Sequence, residues 1–572
     1  MTRQIPHDIP DYPFDLIVIG AGINGAGIAR DAAMRGLKTL VLDKGDISNG
    51  TTQWATRLIH GGLRYLEYYE VPLVRESLRD REILFHIAPH LVKPLGFMIP
   101  IYERAKHGPL MVRLGMIAYD VLSFDKSVGN HRMFSPEEAR EREPGLNPEG
   151  LKGAAFYYDG QVEYAERIAV ENAISAHEHG AVVLNYAKVD RLITRDGNVT
   201  GVEFADVLGG GRYEAHAPVT VNVAGPWVDE VLRGMEPEGA SGHRMIGGTK
   251  GSHLIVDPFP GAPKGEALYV EARKDGRPYF IVPWNGRYLI GTTDFRYEGD
   301  LDHVSADEDE IDYLLEETNH VIPEANLSRE DVLFTYSGVR PLPYQPEGAE
   351  GTVTRSHIIY DHSRGKGVGT KGSSIGEGAP RVGGLISIVG GKLTTYRNLS
   401  RQTVDMAYEK LGREAPESHT ARVPLPGGAT EDFEAFAAGF KATSGLTDQL
   451  AERLLKLYGV RAPEVLKMAG DDPSLRMPLS ASLTVETGII GAEVLYAFHH
   501  ELAQTLSDVL LRRTMVGMGP QVGLDVDEAA AQVAVKHLGW TEERARSEVE
   551  AYRKFVERYH PKSMRGERVA GG

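Results

Sequence analysis

Three glycines near the amino terminus follow the spacing G-x-G-x-x-G. Gly20, Gly22 and Gly25 come directly after the apolar run Phe14–Ile19. In such a turn the first glycine permits a tight bend, the second lets the backbone approach a pyrophosphate, and the third lets a helix pack on the strand. The start of that helix offers free N–H groups and partial positive charge to the phosphates. Asp43, about 20 residues farther along, is placed to accept hydrogen bonds from an adenosine ribose.

Two later segments end a predicted strand in a turn of small residues. Asn222–Trp227 includes Ala224 and Gly225, and the pattern predicts that this turn passes close to a bound dinucleotide. Ile388–Thr395 contains Gly390, Gly391, Lys392 and Leu393 and is a second junction between a strand, glycines and a helix. A helix amino terminus there, together with Lys392, would stabilise negative charge on a reduced flavin. The fingerprint alone does not separate FAD from NAD, but its position at the amino terminus without a second copy favours a cofactor that is held permanently.

The elements around these turns predict an α/β core. The fingerprint lies in one βαβ unit, which consists of a strand at Leu16–Ile19, a helix over Ala26–Arg35 and a strand at Thr39–Leu42. Short buried strands separated by amphipathic helices indicate an α/β core with an inserted antiparallel sheet. The strand-like runs are Ala181–Tyr186, Val219–Val223, Tyr279–Val282, Tyr288–Ile290 and Leu385–Val389, and the helical runs include Glu166–His177 and Asp307–His320. Beyond a boundary near residues 410–425, helical patterns dominate.

Composition excludes several classes of protein. The 572 residues include no cysteine, which excludes disulfide scaffolds, cysteine-ligated metal centres and thiol nucleophiles, so redox chemistry requires a cofactor. The formal net charge of −17 and the lack of a dense basic run argue against a nucleic-acid binder. No apolar run is long enough to predict a spanning helix. Met1–Pro13 lacks the apolar core of a signal peptide, so we expect the protein to stay in the compartment where it is made.

Several blocks of the sequence are similar to one enzyme family. They resemble FAD-dependent glycerol-3-phosphate dehydrogenases of the respiratory, quinone-reducing kind. The most specific blocks are Leu58–Glu67 and Thr335–Pro341. The blocks are Asp15–Asp31, Leu58–Glu67, Asn222–Trp227, Lys250–His253, Gly291–Asp294, Thr335–Pro341 and Gly390–Arg397. The C-terminal part, from Leu425–Gly428 to Leu511–Thr514, resembles the helical domain of the same family.

The resemblance implies a fold and an activity. The fold would be an N-terminal Rossmann-like FAD domain of glutathione-reductase type with an inserted antiparallel-sheet substrate domain, at residues 14–420, followed by an all-α domain at 421–560, with tails at 1–13 and 561–572. The activity would be oxidation of sn-glycerol 3-phosphate to dihydroxyacetone phosphate in glycerol catabolism. Hydride would pass to FAD and electrons onward to a membrane quinone. Family members are often dimers on the inner face of the cell membrane, and we expect the same cytoplasmic, peripheral location here.

The resemblance also assigns cofactor residues, and no metal site. This sequence departs from the family at Asp43, where relatives often have Glu, and at Thr51–Arg57, which replaces a Ser-rich segment ending in Lys. Two hydroxyls and the positive charge are retained in that segment. The predicted FAD residues are Gly20, Gly22, Asn24, Gly25, Asp43, Thr51, Thr52, Arg57, Leu58, His60, Val189, Ala224, Gly225, Gly390, Gly391, Lys392 and Leu393.

A small diol that carries a phosphate dianion needs bidentate cationic donors, which arginine supplies best. By the matched blocks these are Arg64 and Arg340, with a phenolic hydrogen bond from Tyr65. Oxidation of a secondary alcohol also needs a base for the hydroxyl proton, and His253 is the first candidate. His60 is expected to line the flavin rather than to act as the base. Lys392 would bind substrate or the reduced flavin, and Arg340 would also orient the reacting hydroxyl.

Three further segments carry predictions about the surface. Gly108–Tyr119 could lie in a membrane interface as an amphipathic helix, although an ordinary packed helix fits the pattern equally well. Arg512 and Arg513 are expected to lie on a solvated helix face. His362–Gly384 is rich in Gly, Ser and Lys and is expected to be a mobile loop.

Four other functions remain open. The first is the same oxidation with oxygen as acceptor, which releases hydrogen peroxide. A related flavin amine or amino-acid oxidase is disfavoured by the two specific blocks. A non-catalytic flavoprotein is disfavoured by the retained Arg64, Arg340, His253 and Lys392. A soluble NAD-dependent dehydrogenase is disfavoured by the additional glycine junctions.

Overall fold

The computed structural model describes residues 3–6, 8–235, 244–345, 353–368, 381–480 and 488–565. Its strands are β1 Leu16–Ile19, β2 Thr39–Leu42, β3 Leu58–Ile59, β4 Val92–Tyr102, β5 Arg132–Phe134, β6 Leu151–Val162, β7 Val182–Leu184, β8 Ala187–Arg195, β9 Asn198–Asp206, β10 Arg212–His216, β11 Val219–Asn222, β12 Thr249–Val256, β13 Ala267–Glu271, β14 Pro278–Trp284, β15 Arg287–Gly291, β16 Phe295–Arg296, β17 Val332–Arg340, β18 Ile358–Asp361, β19 Lys366–Val368 and β20 Leu385–Val389. Its α-helices are α1 Ile23–Met34, α2 Val71–Ile87, α3 Pro109–Leu122, α4 Pro136–Arg142, α5 Ala165–Glu178, α6 Val228–Arg233, α7 Glu308–Val321, α8 Tyr396–Lys410, α9 Phe433–Thr443, α10 Asp448–Tyr458, α11 Ala462–Lys467, α12 Gly491–His500, α13 Leu506–Asp508, α14 Asp527–Leu538 and α15 Glu542–Val556.

A seven-stranded sheet forms the first layer of the fold. Its order is β19-β18-β20-β11-β1-β2-β7, and β7, β2, β1, β11 and β20 run parallel. The chain leaves β1 toward β2 on one side, while β11 lies on the other side, so the strand order reverses at β1. Helices α1, α5 and α8 pack together beside this sheet. Ligands of such sheets bind beyond the carboxyl ends of the strands at the reversal point.

The turn between β1 and α1 depends on glycine at two positions. Gly20 has a φ of +112°, which other residues rarely adopt. A Cβ on Gly25 would overlap the carbonyl oxygen of Gly20. Glycine at these positions therefore lets α1 start close against the end of β1, as the fingerprint predicts.

A larger mixed sheet carries the inserted part of the fold. Its order is β16-β12-β15-β14-β13-β4-β6-β3, with β17 paired to β12 and β5 paired to β6. All of these pairs are antiparallel except β13 with β4. In the β12–β17 register His253 lies opposite Tyr336, and Thr249 lies opposite Arg340. The pairing brings together two blocks that are about 85 residues apart in sequence.

The described residues beyond Leu425 form the helices α9–α15, which confirms the predicted α/β class with a helical C-terminal part. The prediction that Arg512 and Arg513 lie on a solvated helix face is wrong. The chain continues from α13 as a π-helix at Val509–Arg513, and the two arginines are 2% and 0% exposed. They are buried because Asp46, just beyond β2, receives both guanidinium groups.

The second glycine junction has the predicted order of strand, glycines and helix. Strand β20 ends at Val389 and α8 begins at Tyr396, so Gly390–Thr395 forms the turn between them. In the predicted loop at His362–Gly384, β18 and β19 form a hairpin that reaches Val368, and residues 369–380 lie outside the described residues. Within the described ranges, no helix has the length and apolar character needed to cross a membrane.

Candidate active site

A cavity of about 550 Å³ lies beyond the carboxyl ends of β1, β11 and β20 and extends to the mixed sheet. Its lining includes most of the residues predicted to bind a cofactor. These are Gly20, Gly22, Asn24, Asp43, Thr51, Thr52, Leu58, His60, Val189, Ala224, Gly225, Gly390, Gly391, Lys392 and Leu393. Tyr65, His253 and Arg340 line the same cavity, so the structure brings the predicted cofactor and substrate residues together.

Asp43 and Thr52 shape the turn that leads into α1. Oδ2 of Asp43 accepts a hydrogen bond from the Ala21 N–H at 2.6 Å, and Oδ1 accepts from the Gly45 N–H at 2.9 Å. Burial raises the pKa of Asp43. Thr52 Oγ1 accepts from the Ile23 N–H at 3.0 Å, which satisfies one free donor at the start of the helix. Each carboxylate oxygen of Asp43 keeps a lone pair, and binding of the ribose stays a prediction.

Unpartnered polar atoms in the lining fit a polar ligand. Among the described residues, Asn24 Oδ1 and Trp227 Nε1 are buried without a hydrogen-bond partner. Asn24 Nδ2 donates to the Gly390 carbonyl at 3.4 Å and so links the first βα turn to the turn after β20. Buried polar groups are almost always paired, so orphaned groups around an elongated cavity beside a helix amino terminus fit a bound dinucleotide.

The turn after β20 places Lys392 beside the Gly61–Gly62 turn. Nζ of Lys392 donates to the His60 carbonyl and to Ser77 Oγ, each at 3.1 Å, and lies 4.8 Å from the ring centre of Tyr65. Burial lowers the pKa of Lys392 to about 8. The side chain therefore remains cationic below that pH while it stays able to release a proton at mildly alkaline pH.

His253 lies on β12 in the mixed sheet. Its ring stacks on Tyr336 at 4.6 Å between centres, and Nε2 lies 3.0 Å from Thr56 Oγ1. Burial, with the positive charges of Arg340 and Arg57, holds the pKa of His253 well below its usual range. The imidazole is thus neutral at physiological pH, which is the protonation state from which a general base starts. Burial and the charge of Lys392 also hold the pKa of His60 well below its usual range.

Arg340 ends β17 and shares a carboxylate with a second arginine. Its Nη1 lies 3.1 Å from Asp294 Oδ1, and its Nη2 donates to Thr292 Oγ1 at 3.0 Å. Arg355 Nη2 lies 2.8 Å from the other oxygen of Asp294. Burial opposes ionisation of Asp294, but the two arginines outweigh it and lower the pKa of this carboxyl.

Sequence reasoning missed Arg355. Its side chain is 15% exposed and lines the cavity, and within the described part of the chain its buried Nη1 has no hydrogen-bond partner. The residue lies between β17 and β18, outside every block that carried the resemblance. The one available signal was an arginine in a short polar segment that follows Arg340 and precedes a buried strand.

Three predicted residues do not line the cavity. Arg57 is fully buried and makes two hydrogen bonds to Glu166, at 2.8 and 2.9 Å. Arg64 extends from the turn at Leu63–Tyr68, and its Nη2 donates to Tyr68 OH at 3.2 Å. Gly25 lies behind the turn and acts through packing. The roles predicted for Arg57 and Arg64 therefore have no direct support from the geometry.

Relatives of known name cover nearly the whole chain. The glycerol-3-phosphate dehydrogenase of Synechocystis sp. is 47% identical over 563 residues, which are 97% of this chain and 98% of that relative. The aerobic glycerol-3-phosphate dehydrogenase of Staphylococcus haemolyticus is 31% identical over 523 residues, 89% of this chain and 88% of that relative.

Solved structures show the same fold. A glycerol-3-phosphate dehydrogenase from Bacillus halodurans, complexed with FAD, superposes with a TM-score of 0.74 at 28% identity and covers 96% of each chain. The L-alpha-glycerophosphate oxidase of Mycoplasma pneumoniae, at 14% identity and a TM-score of 0.52 over 72% of this chain and 98% of that one, shares the fold alone.

The family matches span both parts of the chain. Residues 15–397 match the family described as FAD dependent oxidoreductase, and residues 418–545 match the C-terminal domain of alpha-glycerophosphate oxidase. FAD is accordingly the cofactor, as the sequence predicted. The chain therefore belongs to the FAD-dependent oxidoreductases, in the branch that carries the alpha-glycerophosphate oxidase C-terminal domain.

Proposed function

We propose that the protein oxidises sn-glycerol 3-phosphate to dihydroxyacetone phosphate and passes the electrons to a membrane quinone. The observation that carries the proposal is the arrangement of Arg340, Arg355 and a neutral His253 around one cavity with the FAD-binding turns. The Synechocystis relative, named a glycerol-3-phosphate dehydrogenase, supports the same substrate. FAD, when bound, supplies the acceptor for the hydride that leaves C2.

The cations of the cavity suit a phosphate dianion. Arg340 and Arg355 are held by Asp294, and within the described part of the chain the buried Arg355 Nη1 has no hydrogen-bond partner. Lys392 adds a third positive charge, and Tyr65 adds a phenol. Arg340 and Arg355 share the one carboxylate of Asp294, whereas Lys392 also feels the carboxylates of Asp159, Glu76 and Glu70. The two guanidinium groups on one carboxylate leave positive charge at this end of the cavity, which suits a dianion.

His253 is assigned the proton of the reacting hydroxyl. A base must be unprotonated before it acts, and burial keeps this imidazole neutral. Thr56 Oγ1 and the Tyr336 ring fix the ring plane from two sides. The proton moves from the substrate oxygen to the ring as hydride leaves C2, so no alkoxide has to form first.

Anaerobic addition of sn-glycerol 3-phosphate to the pure holoprotein tests the substrate. We expect the visible flavin absorbance to bleach, while glycerol at the same concentration leaves it unchanged. A protein that stays yellow with the phosphate ester, yet bleaches with dithionite, would refute the assignment.

An exposed apolar stripe on α3 supports a membrane acceptor. Leu110, Leu114, Ile117 and Val121 follow one helix face and are 73%, 53%, 44% and 66% exposed. Met116 and Tyr119 on the opposite face are buried. Exposed apolar residues of this extent on one helix favour adsorption at a lipid surface.

The inner side of α3 leads directly to the active site. Tyr119 OH donates to both oxygens of Asp159, at 2.9 and 2.8 Å, and Asp159 Oδ1 accepts from the Gly61 N–H at 3.2 Å. The helix thus lies behind the turn that carries His60 and Tyr65. A quinone held in lipid beside α3 would therefore lie close to the turn that carries two residues of the cavity lining.

Flotation with anionic liposomes tests the membrane surface. Leu114→Glu should abolish flotation, whereas Val207→Glu, at an equally exposed apolar residue in the turn between β9 and β10, should not. Equal flotation of the two variants would contradict the assignment of α3. Absence of binding by the unaltered protein would also remove the support for a peripheral location on the inner face of the cell membrane.

Two finer features have tests of their own. Oxygen as the acceptor predicts stoichiometric hydrogen peroxide from the pure enzyme in air, and a quinone-specific enzyme predicts turnover with a soluble quinone and little peroxide. A dimer, which the family resemblance implies, is checked by light scattering of the holoprotein in detergent.

A further inference from the structure

A buried cluster of four charged residues joins the helical part to the FAD-binding part. Arg513 Nη1 and Nη2 each lie 2.8 Å from an oxygen of Asp46, and Arg512 Nε lies 2.7 Å from Asp46 Oδ2. Arg512 Nη2 reaches Asp508 Oδ1 at 2.6 Å. All four side chains are at most 3% exposed, and the cavity lining includes none of them. The proposed chemistry leaves this cluster without a role.

The cluster holds one end of a segment that shapes the cofactor cavity. Beyond Asp46, the chain turns at Ser48, which has a φ of +69° and whose N–H donates to the Ala21 carbonyl at 3.0 Å. Residues 49–52 then line the cavity. Thr51 Oγ1 donates to the Val339 carbonyl at 2.7 Å, and Thr52 Oγ1 caps α1. The position of this segment therefore sets the wall beside the helix amino terminus.

Arg512 also reaches the middle and the far end of the segment. Its Nη1 lies 3.4 Å from Asn49 Oδ1 and 3.3 Å from Gln53 Oε1. Gln53 Nε2 donates to Tyr559 OH at 3.2 Å, a second contact from the C-terminal part. The segment is thus held at both ends by residues more than 450 positions away.

The energetics favour a positioning role over simple adhesion. Removing two arginines and two aspartates from water is costly, and apolar residues of similar size would join the two parts at lower cost. Bidentate guanidinium bonds instead fix direction as well as distance. Burial opposes ionisation of Asp46, but Arg513 and Arg512 outweigh it and hold the pKa of that carboxyl at about 2. Asp46 therefore stays ionised between its two arginines, while burial and the charge of Asp46 raise the pKa of Asp508.

We propose that Arg512 and Arg513 are positioning residues for FAD, which clamp the segment at Asp46–Gln53 in its binding shape. It follows that the helical domain shapes the cofactor site through this segment, in addition to Phe555 and Arg558, which line the cavity themselves. Loss of the clamp is expected to loosen FAD rather than to alter the reacting groups directly.

A second buried ion pair provides a matched control. Arg167 in α5 and Glu501 after α12 form two hydrogen bonds of 2.7 Å, and both are 1% exposed. This pair also crosses from the FAD-binding part to the helical part. Neither residue belongs to the segment at Asp46–Gln53 or to the cavity lining. The pair touches Arg513, since Arg167 Nη1 lies 3.4 Å from the Arg513 carbonyl and Arg513 Nε donates to the Glu501 carbonyl at 2.8 Å. Arg167→Gln therefore weakens the same contact between the two parts but leaves the bonds from Arg512 to Asp46, Asn49 and Gln53 in place.

The experiment follows FAD release from the diluted holoprotein by the rise in free-FAD fluorescence, with the melting temperature measured in parallel. We expect Arg512→Gln to release FAD about tenfold faster than wild type, the effect of losing charge-assisted hydrogen bonds in a buried site. Arg167→Gln should lower the melting temperature comparably but release FAD at the wild-type rate. Arg512→Lys, which keeps one charge beside Asp46, should lie between.

Two results would overturn the proposal. One is a wild-type release rate in Arg512→Gln, and the other is equal acceleration in Arg167→Gln, which would mean that the contact between the two parts matters and the clamp does not. If Arg512→Gln does not fold, the FAD release rate of Gln53→Ala tests the proposal instead. This substitution removes a single anchor of the segment, and Gln53 itself does not line the cavity. Faster release is then expected, and an unchanged rate overturns the proposal.

Discussion

Arg355 offers the sharpest test of the proposed substrate site, because one of its two terminal nitrogens is committed and the other is open. Nη2 is 2.8 Å from Asp294, while Nη1 is buried without a partner among the described residues. A hydrogen bond between charged groups contributes about 1.5–3 kcal/mol, and 1.4 kcal/mol corresponds to about tenfold in an equilibrium constant. Arg355→Gln should therefore raise the KM for sn-glycerol 3-phosphate by about 10- to 150-fold.

Arg355→Gln should also raise the KM for sn-glycerol 3-phosphate in a second way. Asp294 loses one of its two arginines, so more negative charge faces the phosphate. Because both effects act on a group remote from the reacting carbon, kcat should change little. Inorganic phosphate as a competitive inhibitor isolates the contact, and its inhibition constant should rise in parallel with KM.

Steady-state turnover with an artificial electron acceptor measures both constants. Arg364→Gln is the matched control. Arg364 lies on the turn between β18 and β19, is exposed and pairs with Glu409 of α8. That variant should keep wild-type constants. A KM within twofold of wild type for Arg355→Gln, or a loss confined to kcat, would refute the role assigned to Arg355.

Three other predictions concern the remaining parts of the site. His253→Asn should lower kcat about 10²- to 10⁴-fold. Because the pKa of His253 is held well below its usual range, the imidazole stays neutral as the pH drops through the range in which an ordinary histidine titrates. Wild-type kcat/KM should therefore not fall in that range, and a fall there would contradict the base assignment. Lys392, with a pKa of about 8, loses its charge as pH rises through that value, so KM should increase there, and Lys392→Met should show no such increase in a pH series of KM. Gly25→Ala would push a methyl group into the Gly20 carbonyl, so the purified variant should be colourless; a fully yellow protein would show that the turn can relax.

The first βα unit could be predicted from the sequence because its constraints are local. Strand β1, the glycines and α1 lie within 20 consecutive residues, and backbone sterics alone demand glycine at Gly20 and Gly25. The placement of His253 and Arg340 followed from family blocks rather than from local pattern. Their proximity depends on the pairing of β12 with β17, which no short window of sequence reveals.

Predictions about isolated arginines failed where the partner lay far along the chain. Arg512 and Arg513 occupy positions that suit a solvated helix face, and only Asp46, more than 460 residues earlier, explains their burial. Arg57 carries the charge expected beside a pyrophosphate, but Glu166 takes both of its terminal nitrogens into the core. Arg355 belongs to no recognised block, and its role depends on sharing Asp294 with Arg340.

The two arginine pairs of this protein show how a structural cluster differs from a binding one. At Asp46, all nitrogens of Arg512 and Arg513 have oxygen partners, no side chain faces a cavity, and the charges cancel within the cluster. At Asp294, a single carboxylate again joins two arginines, but both arginines line the cavity, and within the described residues one buried nitrogen of Arg355 lacks a partner. Net charge cannot separate the two cases, because the whole chain is strongly acidic and distant charges are screened within about 8 Å in physiological salt. The unsatisfied donor separates them only together with the cavity, because Arg30 Nη1 also lacks a partner among the described residues and Arg30 does not line it. An incomplete guanidinium in the wall of a cavity favours an anionic ligand, whereas a complete one away from any cavity favours a fixed backbone.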